Sequence, residues 1–267
     1  MNTLTPMHFA DNYLLNPTNP IVVNLIGAGG TGHRMLTELV RMHISLLALG
    51  HPGLQVNLFD DDKVTAANLG RQLFASTEIG RYKAVALIDR VNRSCGTNWK
   101  GVTERFGTQT LHLLPGMGRA NIYISCVDTA MSRFDIADAI RKPVGNSYID
   151  RLKALYWMDL GNSRFTGQLI LSTVYEIRQP SSEKFRPVGY LPMVTEEFKG
   201  LLEAVDDTDE PSCSAVEALQ KQDLYINTTL ANYGASLLWQ LIQEGMIACR
   251  GVFVNIKNFR TTPLMLT

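Results

Sequence analysis

The residues able to do chemistry lie in three short stretches. Gly27-Ala28-Gly29-Gly30-Thr31-Gly32 satisfies the spacing G-x-G-x-x-G, with one further glycine at position 30. That spacing suits an anion. The first glycine permits a tight turn, the second lets backbone N–H groups approach a phosphate, and the third lets the following helix pack closely on the preceding strand. A helix N-terminus behind such a turn adds free N–H groups and partial positive charge. Asp60 closes a second apolar run, where a carboxylate either accepts hydrogen bonds from ribose hydroxyls or is the first of three solvated acids, Asp60-Asp61-Asp62. Beyond it come Asn68, Arg71, Gln72 and Lys83, amide and cationic donors in close succession. They suit a triphosphate, whose charges must be neutralised while one phosphorus is attacked. A dehydrogenase needs nothing of the kind there and leaves Asn68 to Gln72 unexplained. Asp128 ends a further apolar run and could hold Mg²⁺ between phosphates. Each residue alone can be a surface charge or a strand-end cap; their joint order argues for a site.

These residues need a scaffold, and the apolar pattern supplies one. Ile21–Ile26 predicts a buried strand. Met35, Leu36, Leu39, Val40, Ile44, Leu47 and Ala48 recur at helical spacing from Gly30 to about Leu49, and Gln55–Asp60 predicts a second strand. Strand, glycine turn, helix and strand make a βαβ unit with a right-handed crossover in a parallel sheet. The pattern continues with a helix from Lys83 to about Asn92, strands at Trp99–Phe106 and Asn121–Val127, and a helix over Met131–Arg141. Tyr156–Leu160 and Gln168–Val174 follow as strands of a second half. From Arg178 to Pro211 the chain carries Pro180, Pro187, Pro192 and Pro211 with the acids Asp206, Asp207, Asp209 and Glu210, and reads as a long, mobile loop. A helix from about Leu224 to Glu244 and a half-exposed antiparallel strand over Gly251–Phe259 complete the chain.

Composition bounds the function. Of 267 residues 45% are hydrophobic and 19% charged, enough for a sizeable core and against intrinsic disorder. Lys plus Arg and Asp plus Glu both number 25, so a chain-wide attraction to nucleic acid or to an anionic membrane is not expected. No apolar run approaches the roughly 18 residues of a membrane span. Cys95, Cys126, Cys213 and Cys249 are widely spaced without a CxxC pair, so no zinc is expected. The first 20 residues lack the basic and apolar regions of a signal peptide, which predicts a cytoplasmic protein with reduced thiols.

The motifs together resemble the ThiF/MoeB/ubiquitin-activating-enzyme superfamily. The resemblance is carried by GAGGTG at 27–32, the DDDKVxxxNLxRQ run from Asp60 to Gln72, Gly80 with Lys83, SCVD at 125–128 and Arg133. Gly161, the Gly167-Gln168 pair and Pro211-Ser212-Cys213-Ser214 resemble later positions of the superfamily. The span runs from about 21 to 245. Within the superfamily the chain is most similar to the ThiF-related protein of the PRTRC cassette, carried on plasmids and other mobile elements. The resemblance implies a Rossmann-like α/β adenylation fold, its parallel sheet continued by antiparallel strands, with helices on both faces. It implies one adenylation domain over 1–267: a leader at 1–20, a nucleotide-binding half at 21–150, and a second half at 151–267 with a crossover loop at about 178–215. It also implies an activity. ATP with Mg²⁺ binds at Gly27, Gly29, Gly30 and Gly32, and the C-terminal glycine carboxylate of a small ubiquitin-like (β-grasp) partner attacks the α-phosphorus, releasing pyrophosphate. By position Asp60 and Asp62 belong to the nucleotide site, Asp60 holding ribose. Asn68, Arg71, Gln72 and Lys83 hold phosphates, and Asp128 holds the magnesium. A homodimer is implied, because the superfamily pairs such domains.

Two departures bear on this. Relatives commonly bring an N-terminal arginine onto the γ-phosphate of the partner subunit, whereas the first arginine here is Arg34. The paired CxxC zinc motifs of many relatives are also missing. A catalytically idle nucleotide-binding module of a plasmid-borne cassette is therefore the alternative. Cys213 aligns with a superfamily thiol that in some members carries the acyl group; otherwise it anchors the loop or is inert. Cys126 reads as a small core residue. His33 is either a nucleotide contact or an ordinary surface histidine, and Arg34 a candidate for the missing phosphate contact. The strand around Val252–Ile256 either closes the sheet, forms a dimer edge or adds an extended peptide.

Overall fold

A computed structural model describes residues 4–72, 74–109, 112, 114, 116–142, 152–204 and 223–267, with residues 70 and 71 described in their backbone only. The apolar runs become an eight-stranded sheet. Ile21–Ile26 (β2), Leu54–Phe59 (β3), Lys100–Val102 (β4), Ile122–Ser125 (β5) and Tyr156–Asn162 (β6) are its parallel part, in the order β4-β3-β2-β5-β6. Thr166–Thr173 (β7), Cys249–Asn255 (β10) and Arg260–Met265 (β11) extend it antiparallel beyond β6. The chain starts in the middle at β2, grows outward to β4, and then returns to lay β5 on the other side of β2. That reversal opens a crevice at the carboxyl ends of β2 and β5, where open α/β sheets bind ligands. The α/β fold with its mixed sheet is the expected one.

Both faces of the central strands are covered. On β2, Ile21, Val23 and Leu25 join a core with Met35, Leu36 and Leu39 of the helix Gly30–Ala48 (α2, which follows the short α1 at Asn12–Leu15), with Leu87 and Ile88 of the helix Lys83–Cys95, and with Leu230, Leu238 and Leu241 of the helix Ile226–Glu244. Ile26 points the other way. It joins Phe59, Tyr123 and Trp157 beneath Ile136 and Ile140 of the helix Ala130–Arg141, with Met193 and Val194. Near-continuous burial of this kind is what a parallel strand with helices on both sides requires. Asn24 sits inside it at no cost in unpaired polar atoms, because its Oδ1 accepts from Asn57 Nδ2 at 2.9 Å and its Nδ2 donates to the Met117 carbonyl at 3.1 Å. Helix ends follow the residue types: Gly96 and Gly245 close their helices in the left-handed conformation, at φ 66° and 68°. Thr129 opens Ala130–Arg141 by accepting from the Ser132 N–H.

Three expectations change. Residues 1–20 are more than a leader: Thr5–Phe9 (β1) pairs parallel with Phe185–Pro187 (β8) and antiparallel with Met246–Ile247 (β9), a small second sheet. His8, fully buried, bonds Tyr156 and the Val188 carbonyl, so apolar Met7 and a satisfied histidine anchor the segment. The stretch from Arg178 is not a structureless loop as far as residue 204. It holds β8 and short helices at Val194–Glu197 and Lys199–Glu203, pinned where buried Arg250 pairs with Glu197 and donates to the Pro192 carbonyl. Third, Val252–Ile256 cannot add a peptide strand: β10 is already flanked by β7 and β11, and Arg260–Met265 is the edge. The remainder of the crossover loop, with the acidic run 206–210, Pro211 and Cys213, lies outside the described residues. Among the described residues no helix is long and apolar enough to cross a membrane.

Candidate nucleotide-binding site

The glycine turn sits where β2 and β5 part. Gly27 has φ +96°, donates its N–H to the Phe59 carbonyl at 2.9 Å, and would place a Cβ 2.6 Å from the Cys126 carbonyl oxygen. Gly32 would place one 1.8 Å from the Gly27 carbonyl, which is the close helix–strand approach the motif demands. Gly30 is hemmed in by Asn227, 2.3 Å from such a Cβ. Gly29 alone of the four meets nothing within 4 Å. The turn is thus closed by packing on three glycines and open at the fourth, the N-cap of α2, where the helix leaves its first N–H groups unpaired within itself.

Asp60 and its neighbours bring charge to this opening. The Ala28 N–H donates to Asp60 Oδ2 at 2.6 Å and the Asp62 N–H to Oδ1 at 3.0 Å. Burial pushes the Asp60 carboxyl above its ordinary range, while these N–H donors and nearby Lys83 pull against that. Asp60 is therefore no free acidic turn; it ties the second strand to the glycine turn, and each of its oxygens has a second lone pair that could accept from a hydroxyl. Lys83 is buried, with its Nζ on Asp62 Oδ2 at 2.7 Å; the Asp62 side chain is 68% exposed. Asn68 caps the turn at Thr65, its Oδ1 accepting from the Thr65 N–H at 2.8 Å and hydroxyl at 3.0 Å, which leaves its amide NH₂ as the donor end. Arg71 lies in the short helix Leu69–Gln72 and its side chain is outside the described residues. Gln72 is buried, and among the described residues its Oε1 has no hydrogen-bond partner.

Asp128 stands exposed just past the carboxyl end of β5. Buried Arg133 fixes the turn that carries it. The Arg133 guanidinium donates to the carbonyls of Val127 at 2.7 Å, Thr129 at 3.1 Å and Asp128 at 3.4 Å, and pairs through Nε with Asp159 at 3.0 Å. Asp159 also accepts from Ser125, which accepts from the Trp157 indole. A Cβ at Gly161 would sit 2.6 Å from the Arg133 guanidinium, and one at Gly167 2.6 Å from Leu230, so both later glycines are demanded by what crosses them. One exposed carboxylate beside an open glycine turn fits Mg²⁺, which takes one or two protein carboxylates and completes its shell with phosphate oxygens and water. Among the described residues no group of three or more His, Cys, Asp or Glu side chains could hold a metal.

Other candidates land elsewhere. His33 is not a surface residue: it is 7% exposed, its ring faces Phe74, and burial with Arg34 and Arg90 nearby drives its pKa down to about 4. Cys126 is buried, its thiol pushed far above the ordinary range by burial and Asp159. A pocket of about 600 Å³ opens beside Leu69 and Phe74, walled by Glu78, Arg81, Arg90 and Arg93. Glu78 pairs with Arg90 at 2.7 Å, and Asp89 with Arg81, so much of its charge is already matched. Sequence reasoning missed Asn162 and Asn227, whose side chains reach Thr31 beside the glycine turn; lone asparagines in a strand and a helix carry no spacing signal.

This arrangement coincides with a known family signature over residues 19–252. The chain belongs to the ThiF family. Solved structures agree with that family's fold. PaaA matches with a TM-score of 0.60 at 14% identity, over 92% of this chain and 73% of PaaA. MccB of E. coli, crystallised with AMPCPP and MccA, matches with a TM-score of 0.56 at 15% identity, over 93% of this chain and 65% of MccB. The same protein with ATP matches at 0.53 and 16%, over 94% and 64%. The ThiF-family chain thus spans less than two thirds of MccB. No curated protein matches it in sequence.

Proposed function

We propose that the chain is an ATP-dependent activating enzyme that adenylates the C-terminal glycine carboxylate of a small ubiquitin-like partner. The observation that carries this reading is the bond from the Ala28 N–H to Asp60, with Lys83 beside that carboxylate. The carboxylate bonded to the glycine turn thus feels the charge of a buried ammonium group, an arrangement that suits linked phosphates better than a redox dinucleotide. In this reading Asp60 holds the ribose, and the turn at Gly29 with Asn68, Arg71 and Lys83 holds the phosphates. Asp128 would hold Mg²⁺, which screens phosphate charge when bound. The partner's carboxylate, already ionised at neutral pH, forms a bond from its oxygen to the α-phosphorus as the bond to the β-phosphate oxygen breaks. The products are acyl adenylate and pyrophosphate. The protein need only orient the two reactants and neutralise charge; no general base is required.

The same reading treats the chain as one adenylation domain acting as a cytoplasmic homodimer, similar to the ThiF-related protein of the PRTRC cassette, with a glycine-ending β-grasp protein as its substrate. That MccB was crystallised with both AMPCPP and MccA supports a protein or peptide substrate. Pyrophosphate exchange into ATP, dependent on a glycine-ending β-grasp protein, is the test. Exchange that vanishes when the terminal glycine is removed supports the reading. ATP binding without exchange for any such protein points instead to the idle regulatory module.

A further inference from the structure

The spacing G-x-G-x-x-G calls for glycine at 27, 29 and 32 and is silent on position 30. The reason for Gly30 comes from the other end of the chain. Asn227 lies in the first turn of Ile226–Glu244 and is 3% exposed. Its Nδ2 occupies the space of a Gly30 Cβ, at 2.3 Å, and its Oδ1 accepts from the Thr31 hydroxyl at 2.8 Å. The same hydroxyl lies 3.2 Å from Asn162 Oδ1 at the end of β6. Helix α2 has no side-chain cap of its own, because its N-cap is Gly29. Its first turn is therefore held from outside, by a carboxamide 196 positions away.

We propose that Asn227 is a positioning residue of the nucleotide site, resting on the reading above that this turn binds phosphate. It touches Gly30 and Thr31 on the packed side of the turn, while Gly29 stays open on the side a phosphate must approach. A carboxamide accepts from Thr31 and leaves room for Gly30, so the helix-initial N–H groups are aimed before nucleotide arrives. That pre-orientation is what a positioning contact contributes to binding and rate. It also makes the second half of the domain part of the nucleotide site, through a residue just downstream of the crossover loop.

The test uses the full chain with Asn227→Ala, Gly30→Ala and the double variant, each probed in two ways. One is equilibrium binding of AMPCPP with Mg²⁺. The other, without nucleotide, is amide hydrogen exchange at the start of α2, where the His33 N–H is the first to bond within the helix. Loss of one buried hydrogen bond corresponds to about tenfold. Asn227→Ala is expected to weaken AMPCPP about tenfold and to speed exchange at His33 to a similar degree, leaving exchange in β3 unchanged. Gly30→Ala, which drives a methyl against Asn227, is expected to do the same alone and to add nothing in the Asn227→Ala background. Unchanged exchange at His33 in Asn227→Ala, or a Gly30→Ala penalty equal in both backgrounds, overturns the proposal. A parent protein that fails to bind AMPCPP would remove the functional reading, while the exchange and double-variant results would still judge Asn227.

Discussion

Two cation–carboxylate pairs flank the crevice, and they are built for different work. Arg133 and Asp159 face each other with side chains 6% and 1% exposed, and the guanidinium also donates to three backbone carbonyls. Lys83 is almost as buried, at 9%, but its partner Asp62 is 68% exposed and contributes a single contact. Taking an ion out of water costs several kcal/mol unless its bonds are replaced. Arg133 has replaced most of them, through Nε and both terminal nitrogens, and is committed to the scaffold. Among the described residues Lys83 has one such partner, Asp62, a group that water already solvates, and under the proposed function that contact gives way to a phosphate oxygen. A cation and a carboxylate, in the same fold, thus make a fully buried strut in one place and a pair with an exposed carboxylate in the other.

The sharpest way to break the comparison is Arg133→Met. It leaves Asp159 charged, buried and unpaired, so a loss of about 3–5 kcal/mol in urea unfolding is expected; a variant as stable as the parent would mean the pair is no strut. Lys83→Ala should show the reverse pattern. Losing a group that neutralises developing charge typically costs about 10²–10³ in turnover, so exchange should fall by that order. The midpoint of unfolding should barely move, since an exposed partner makes the pair worth about 1 kcal/mol or less. Lys83→Ala unfolding as readily as Arg133→Met would erase the distinction.

His33 gives a pH signature within the same region. Its folded pKa of about 4 lies below the ordinary 6.5, so between those values the unfolded chain takes up a proton that the native state refuses. Stability should therefore be full above pH 6.5, fall as pH drops toward 4, and lose no more to this group below that. The shift corresponds to roughly 3 kcal/mol at most. In His33→Phe, unfolding midpoints measured from pH 4 to 7 should show a shallower slope; an unaltered slope would place the proton elsewhere.

Much of this was legible in residue order. The β-branched run Ile21–Ile26, the helical spacing of Met35, Leu36 and Leu39 and the glycines between them specify local structure that needs no distant help, and the strand and helix begin where the pattern places them. The buried face of the helix, however, continues through Met42 and Leu46 and leaves Ile44, Leu47 and Ala48 exposed. Periodicity also located Lys83–Cys95 and Ala130–Arg141. What escaped depends on long-range pairing. Thr5–Phe9 becomes a strand because Phe185–Pro187 and Met246–Ile247 lie on either side of it, and Arg260–Met265, nearly all exposed, has no apolar alternation to betray it. The site divides in the same way. Asp60, Asn68, Lys83 and Asp128 stand in a motif, so their types were readable. The burial of His33 is set by Phe74 and the turn that carries Gln72, and the reach of Asn227 to Gly30 is set by helix packing; neither leaves a trace in local spacing.

The central claim is that the crevice beside Gly29 and Lys83 is shaped for a triphosphate. Calorimetric titration of the full chain with AMPCPP and Mg²⁺, against NADH under the same conditions, tests it directly. Saturable binding of AMPCPP that weakens in Lys83→Ala, with no heat from NADH, is the predicted result. Tighter binding of NADH than of AMPCPP, or AMPCPP binding indifferent to Lys83, would contradict it.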